Sequence, residues 1–380
     1  MSELTGIDRL LRDASLERAS DIHLSADEVP RIRVDGALEP MIGISDPLSA
    51  VWLESALLGI MTPHQRVLFE DENEVDMSHE VPGVGRFRVN VYRQLGQIAS
   101  AFRLIPEKVA SLSDLGVPSI ARDLALRPRG LVLVTGPTGS GKSTTLTAMV
   151  DIINSELPSH VITIEDPIEY IHRSKVSLIH QREIGTDTAS FAEALRRVLR
   201  QDPDVILIGE LRDTESISVA LSAAETGQLV LATLHTQGAA KSINRIVDAF
   251  PAHQQDQVRS QLGDTLQGVI SQTLLPLSQS DGRALASEVL VQTPAVANLI
   301  REGQVTQLYS AMQSGSAMGM HTMDQSLREL VEDGRVARQV AQNYLLDPHA
   351  LDNVRVRPRD LDAGEWMAHT TDRVYAPRGV

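Results

Sequence analysis

Cysteine is absent from the 380 residues, which excludes disulfide bonds and thiolate metal sites outright. No apolar run approaches the roughly 18 residues that a membrane-spanning helix needs. The start, Met1-Ser-Glu-Leu-Thr-Gly-Ile-Asp8, lacks the basic-then-apolar pattern of a secretory signal, and the chain is read as cytoplasmic. Positive charge is scarce. The 35 Lys and Arg against 50 Asp and Glu leave a net charge of −15. That balance argues against broad, non-specific nucleic-acid binding, which depends on a cationic surface, but it leaves room for a local basic lining. Only four of the cations are lysines (Lys108, Lys142, Lys175 and Lys241). Internal repeats and low-complexity tracts are also missing.

A hydrophobic content of 42% is enough for ordinary cores, and the length suggests two domains, or three. The stretch that organises the rest is Leu131-Val-Leu-Val-Thr-Gly-Pro-Thr-Gly-Ser-Gly-Lys-Ser-Thr-Thr145. A short apolar run, the pattern of a buried strand, leads into Gly136-x-x-x-x-Gly141-Lys142-Ser143, the P-loop pattern. Its glycines let the backbone turn successive N–H groups toward phosphates. The helix that follows adds the positive end of its dipole. The loop residues Gly136, Thr138, Gly139, Ser140, Gly141, Lys142, Ser143 and Thr144 are therefore assigned to a nucleotide. Lys142 is expected at the β- and γ-phosphates and Ser143 on Mg²⁺.

Before this stretch, Leu4, Ile7, Leu10, Leu11 and Ala14 form a helical stripe over 3–18. Ser20-Asp-Ile-His-Leu24 reads as a short strand, and Pro30–Leu38 as a hairpin turning at Asp35-Gly36. Helices are expected at 48–60 and 63–70, then strands at 74–80, 85–92 and 97–104. Alternation in the second of these puts Arg86 and Arg88 on one face and Phe87 and Val89 on the other. The result is a small α+β domain over 1–104, followed by a linker at 105–118. From 119 to 346, Val-, Ile- and Leu-rich runs at 131–135, 161–164, 205–208 and 229–233 alternate with longer segments, the pattern of a parallel sheet covered on both faces. The helix at 189–201 turns Arg196, Arg197 and Arg200 outward, as a solvated face or a subunit contact. After about 252 the chain reads mostly helical. The tail, 347–380, is expected to be extended or disordered.

Hydrolysis at a bound polyphosphate also needs carboxylates near the cradle. Two buried runs end in them: Ile162-Thr-Ile-Glu165-Asp166-Pro-Ile-Glu169, and Val205-Ile-Leu-Ile-Gly-Glu210. Strand C-termini of such sheets open on the ligand crevice, so Glu165, Asp166, Glu169 and Glu210 are candidates. Asp204, beside Pro203, is read as serving a turn. A further strand ends in Thr233-Leu-His235-Thr236, where a polar cluster can sense the γ-phosphate.

Gly136–Ser143, Ile164–Glu169, Gln181-Arg-Glu183, Leu199–Asp204, Gly209-Glu-Leu-Arg-Asp213, Ala224-Glu-Thr-Gly227 and Thr233-Leu-His235 stand in one order. In that order the chain resembles the secretion ATPase superfamily, the ATPases of type II secretion and type IV pili, over about residues 1–346. Ser20–Leu24 and Arg86–Asn90 resemble that family's PAS-like N-terminal domain. The resemblance implies a PAS-like α+β domain joined to a RecA-like P-loop ATPase domain with a mostly parallel sheet and C-terminal helices. It implies Mg²⁺-dependent ATP hydrolysis with Glu169 as general base, Glu210 as the Walker B acid acting on Mg²⁺ and water, and His235 in the His box. Arg88 and Arg103 would touch phosphates. It further implies a homohexamer at the inner face of the cytoplasmic membrane, driving an inner-membrane platform protein beside a paralogous pilus ATPase, without nucleic acid.

The short form resembles the pilus-retraction branch. Ala295-Val-Ala-Asn-Leu-Ile-Arg-Glu302 is similar to its signature AIRNLIRE, and Met318–Asp324 is similar as well. Gln228, where the His box usually opens with His, and Ala297, where the signature has Arg, depart from the pattern, as does the tail. The alternative these departures permit is a nucleotide-gated accessory subunit with little turnover of its own. A DNA-translocating motor shares the nucleotide core but is disfavoured by the acidic balance.

Overall fold

The computed structural model describes residues 6–34, 36–106, 108–279 and 282–357. Leu4 of the first stripe, Asp35 of the expected hairpin turn and the expected tail from 358 onward lie outside these residues. The chain divides into two compact units, one comprising Met1–Ala110 and Asn154–Asp202, the other Ser111–Ile153 and Pro203–Val380. Residues 154–202 thus group with the N-terminal residues, not with the segment that follows the P-loop.

In the first unit, α1 (Gly6–Leu16) buries Ile7, Leu10, Leu11 and Ala14, the face its spacing dictates. The strands β1 (Asp21–Ser25), β2 (Arg31–Val34) and β3 (Ala37–Pro40) follow, then α2 (Ala50–Ile60) and α3 (Pro63–Glu72). Pro63 opens α3, and Thr62 and Gln65 close a reciprocal cap before it. Then come β4 (Glu74–Val81), β5 (Gly85–Gln94) and β6 (Gln97–Leu104). Among the described residues these strands form one antiparallel sheet in the order β3-β2-β1-β6-β5-β4. Its inner face carries Ile22, Leu24, Phe87, Val89, Val91 and Phe102 into a core shared with α1, α2 and α3. Phe87 and Phe102 meet edge to face, centroids 6.4 Å apart. Each such buried ring contributes roughly 1.5–3 kcal/mol.

The second unit begins with α4 (Ile120–Ala125), β7 (Gly130–Thr135) and α5 (Lys142–Glu156). The chain then passes through the first unit's β8 (His160–Glu165), β9 (Leu178–Glu183) and α6 (Phe191–Val198), with β8 and β9 parallel. It returns with β10 (Val205–Ile208), α7 (Thr214–Thr226), β11 (Leu229–Leu234), α8 (Ala239–Asp248) and α9 (Gln255–Thr265). The strands β12 (Leu266–Pro276) and β13 (Arg283–Val291) follow, then α10 (Pro294–Arg301), α11 (Leu308–Ser314), α12 (Met323–Glu332) and α13 (Arg338–Gln342). Within this unit the strand order is β13-β12-β7-β11-β10, parallel except for the antiparallel β12–β13 pair. Every residue of β7, β10 and β11 is buried, which is why they read as unbroken apolar runs.

The hairpin β12–β13 corrects the expectation of a mostly helical chain after 252. Both strands are covered along nearly their whole length, so neither shows period-two alternation. A short buried run cannot be told from a buried helix by periodicity alone. The C-terminal helices are present, packed on this hairpin. Leu275, Ala284 and Ala286 form a core with Leu327, Leu330 and Val331 of α12, Ala341 of α13, and Leu351 and Val354. The first residues of the expected extended tail are therefore folded. Asp324 accepts the N–H groups of Leu346 and Asp347 at 2.8 and 2.9 Å, and Arg357 pairs with Glu332 at 2.8 Å.

Candidate functional site

The last residue of β7 delivers the chain to Gly136, whose φ is +143°. A Cβ there would lie 2.3 Å from the carbonyl oxygen of Gln272 and 2.6 Å from Ser140 Oγ, so only glycine fits. Gly139 and Gly141 are also at positive φ, +79° and +89°. The turn ends where α5 begins, at Lys142. Lys142 Nζ donates to the carbonyls of Gly136 and Pro137 at 2.9 and 3.0 Å, folding the ammonium over its own loop. Ser140 Oγ is buried with no protein hydrogen-bond partner, and Thr138 and Gly139 are exposed at the tip. Left-handed glycines, a buried orphan hydroxyl and a fifteen-residue helix opening on the loop fit a polyphosphate.

Glu210 follows β10 by two residues, and His235 follows β11 by one. The structure brings them together with the P-loop. His235 Nε2 lies 3.1 Å from Glu210 Oε1, and His235 Nδ1 lies 3.4 Å from Thr138 Oγ1. The other Glu210 oxygen accepts from Arg212 Nε at 2.5 Å. The two strand ends are tied at the backbone: Thr233 Oγ1 donates to the Gly209 carbonyl at 2.5 Å, and the Leu211 N–H donates to the Thr233 carbonyl at 3.0 Å. Glu210 is thereby held with one oxygen toward a cation and one toward an imidazole. Among the described residues no cluster of three or more His, Cys, Asp and Glu could hold a metal ion. Of the expected metal ligands, Ser143 lies in the first turn of α5 and Glu210 beyond β10; with so few protein ligands, a cation held by them would need phosphate and water to complete its shell, as Mg²⁺ commonly does.

The remaining acidic candidates belong to the first unit. Glu165 ends β8 half-buried. It accepts from Thr163 Oγ1 at 2.6 Å and Gln181 Nε2 at 3.2 Å. Burial pushes its carboxyl above the usual range, against those hydrogen bonds and that of the Glu169 N–H, while the Glu169 charge adds to the push. Glu169 itself is exposed, four residues on. The chain between them is fixed from β9, where buried Glu183 accepts from the Ile168 N–H at 3.2 Å and lies 3.7 Å from Arg86 Nη2. Glu165 is thus a loop anchor and Glu169 a presented carboxylate.

Arg88 and Arg103 sit directly opposite each other on β5 and β6, both exposed. The row continues through Asp21 on β1 to Arg33 on β2. Arg103 Nε donates to Asp21 Oδ1 at 2.7 Å. Burial pushes the Asp21 carboxyl up, but the bonds from Ser20 and Arg103 and the Arg103 charge outweigh it, leaving it below the usual range. Opposed like charges on one sheet face are unfavourable in themselves, and an anion laid across them relieves that cost.

Three residues that the sequence did not single out support the second unit's site from β12 and α5. Thr145 and Gln272 exchange hydrogen bonds at 2.8 and 3.2 Å, wholly buried. Ser271 Oγ accepts from the Gly238 N–H at 2.8 Å, just after His235. No sequence signal marked them, because a Ser-Gln-Thr inside an apolar run reads as an interruption, not a strand. Gln228 lies at the opening of β11, where its carbonyl accepts from the Gly130 N–H at 3.0 Å. That is the far end of the strand from His235, about 20 Å away at the usual rise. Ala297 is buried on α10.

The family described as Type II/IV secretion system protein matches residues 3–346. The chain is 50% identical over 336 residues to the type IV pilus retractation ATPase PilT of Pseudomonas aeruginosa, covering 88% of this chain and 97% of that one. It is 50% identical over 333 residues to a twitching motility protein of Neisseria gonorrhoeae, covering 88% of each. A crystal structure of the pilus retraction motor PilT with bound ADP matches with a TM-score of 0.84 and 45% identity, over 92% of this chain and 99% of that one.

Proposed function

This chain belongs to the Type II/IV secretion system protein family, and from that premise we propose that it is an ATP-hydrolysing motor that powers type IV pilus retraction, the force behind twitching motility. The observation that carries the reading is the Thr138–His235–Glu210–Arg212 chain of contacts, which ties the phosphate loop to the ends of two neighbouring strands. Such an arrangement lets a change at the γ-phosphate be felt at a carboxylate.

In this reading the loop residues 136–144 hold the phosphates of ATP, with Lys142 leaving its carbonyl partners for the β- and γ-oxygens. Ser143 and Glu210 would hold Mg²⁺, which would supply positive charge against the phosphate oxygens. Glu169 takes the proton of the attacking water, His235 keeps Glu210 oriented, and Arg88 and Arg103 meet phosphate charge. The N-terminal residues serve as the PAS-like domain. The motor works as a homohexamer in the cytoplasm, at the inner face of the cytoplasmic membrane. It drives an inner-membrane platform protein, beside a paralogous pilus ATPase and without nucleic acid. No helix among the described residues is long and apolar enough to cross a membrane; in this reading attachment to the membrane is through partners.

The test is complementation. In a piliated bacterium lacking its retraction ATPase, the parent chain should restore twitching and a Lys142→Ala variant at equal abundance should not. Light scattering with an ATP analogue should give six times the monomer mass. Failure of both with a well-folded protein contradicts the motor. Ala297, standing buried where the retraction signature has Arg, favours a second reading, a nucleotide-gated accessory subunit with little turnover of its own. Restoration only alongside an active paralogue would select it.

A further inference from the structure

The loop from His235 to Ala239 is held at three points, and the charged one stands outside every motif described above. Thr236 Oγ1 meets Ser242 Oγ at 2.7 Å, the Gly238 N–H donates to Ser271, and the Ala239 N–H donates to Glu288 Oε1 at 2.6 Å. Glu288 is 3% exposed, in the middle of β13. The backbone N–H of Met323, the first residue of α12, also acts on it and opposes the rise of its pKa. The carboxylate therefore serves an N-terminal donor of α8, where the helix dipole favours negative charge.

We propose that Glu288 is a positioning residue for the hydrolytic site: by clamping the start of α8 it fixes the loop that ends in His235, and so fixes the His235 ring between Glu210 and Thr138. Three features support a dedicated role. Burial pushes the carboxyl above its usual range and Asp324 adds to that push, while the Ala239 and Met323 N–H groups and Lys241 oppose it. A buried carboxylate is an expensive cap where Ser or Asn would serve an exposed helix. A Cβ on Gly238 would lie 3.4 Å from Glu288 Oε1, so the loop backbone passes beside the carboxylate. Asp324, whose charge acts on Glu288, receives the N–H groups of Leu346 and Asp347.

This inference rests on reading His235 as part of an ATP-hydrolysing site, and its test separates the two. Parent, Glu288→Gln, His235→Ala and the double variant are compared as full chains. Gln keeps the size but replaces the charged acceptor of the Ala239 N–H with a neutral amide. Glu288→Gln is expected to lower kcat on the order of ten- to a hundredfold through misplacement, with ADP affinity within about twofold. The double variant should be no slower than His235→Ala alone, because both act through one ring. Hydrogen exchange of peptides covering 236–245 should quicken at least about tenfold in Glu288→Gln, with β7 peptides unchanged. Multiplicative losses in the double variant, or unchanged exchange at 236–245, overturn the proposal. If the parent itself shows no turnover, the functional reading fails, and exchange alone decides whether Glu288 clamps the loop.

Discussion

His235 and Glu210 touch at 3.1 Å, and the imidazole reaches the P-loop threonine, Thr138, with its other nitrogen. A ring with both nitrogens engaged links the phosphate cradle to the carboxylate that would order Mg²⁺ and water. His235→Ala should therefore lower kcat about ten- to a hundredfold while leaving ADP affinity nearly unchanged. Steady-state kinetics beside a binding titration checks this. A variant that keeps full kcat removes His235 from the site.

The Thr145–Gln272 pair makes the P-loop depend on β12. Replacing Gln272 by Leu leaves the Thr145 hydroxyl buried without a partner and should cost roughly 1–3 kcal/mol of stability. Converting Thr145 to Val in the same protein should return part of that loss. Denaturant unfolding of the two single variants and the double variant measures it, and strict additivity of the losses would show that the pair is not coupled.

Arg88 faces Arg103 across two strands. Removing one of two opposed like charges from an exposed sheet face should change stability by no more than about 0.5 kcal/mol. If the pair meets phosphate, Arg88→Ala should still lower kcat/KM for ATP at least about tenfold. Unchanged kcat/KM would assign Arg88 to the solvated surface.

His321 supplies a pH dependence. Burial lowers its pKa from near 6.5, and the nearby Ser287 and Gly319 backbone groups only partly offset this. The unfolded chain then binds the proton more readily than the folded one. The His321 contribution is complete above the unfolded value, and stability falls as the pH drops through about 6.5 toward the lowered folded value. Urea unfolding at pH 7.5 and 5.5 should show a smaller loss for His321→Gln than for the parent. An equal loss in both would rule out His321 as the source.

The sequence was most informative where local chemistry is self-sufficient. The P-loop, the Phe87/Val89 alternation and the helix expected at 63–70 each carry their own physical reason, and the backbone follows them closely. It was least informative where burial comes from distant chain. β12 and β13 lose their alternation because both faces are covered, and Gln272, Ser271 and Glu288 look misplaced until their partners at 145, 238 and 239 are known. Gln228 is the converse: a departure inside a recognised motif that lies a strand's length from the His235 end. The grouping of residues 154–202 with the N-terminal residues has no composition break at either end to announce it.

The central claim, that this chain turns over ATP through Glu210, is tested most directly by steady-state phosphate release from the purified protein beside Glu210→Ala. The account predicts clear Mg²⁺-dependent turnover in the parent and a loss of at least about a hundredfold in the variant, with ADP still bound by both. Parent turnover no faster than that of the variant would contradict it, leaving a nucleotide-binding chain whose work is done by a partner.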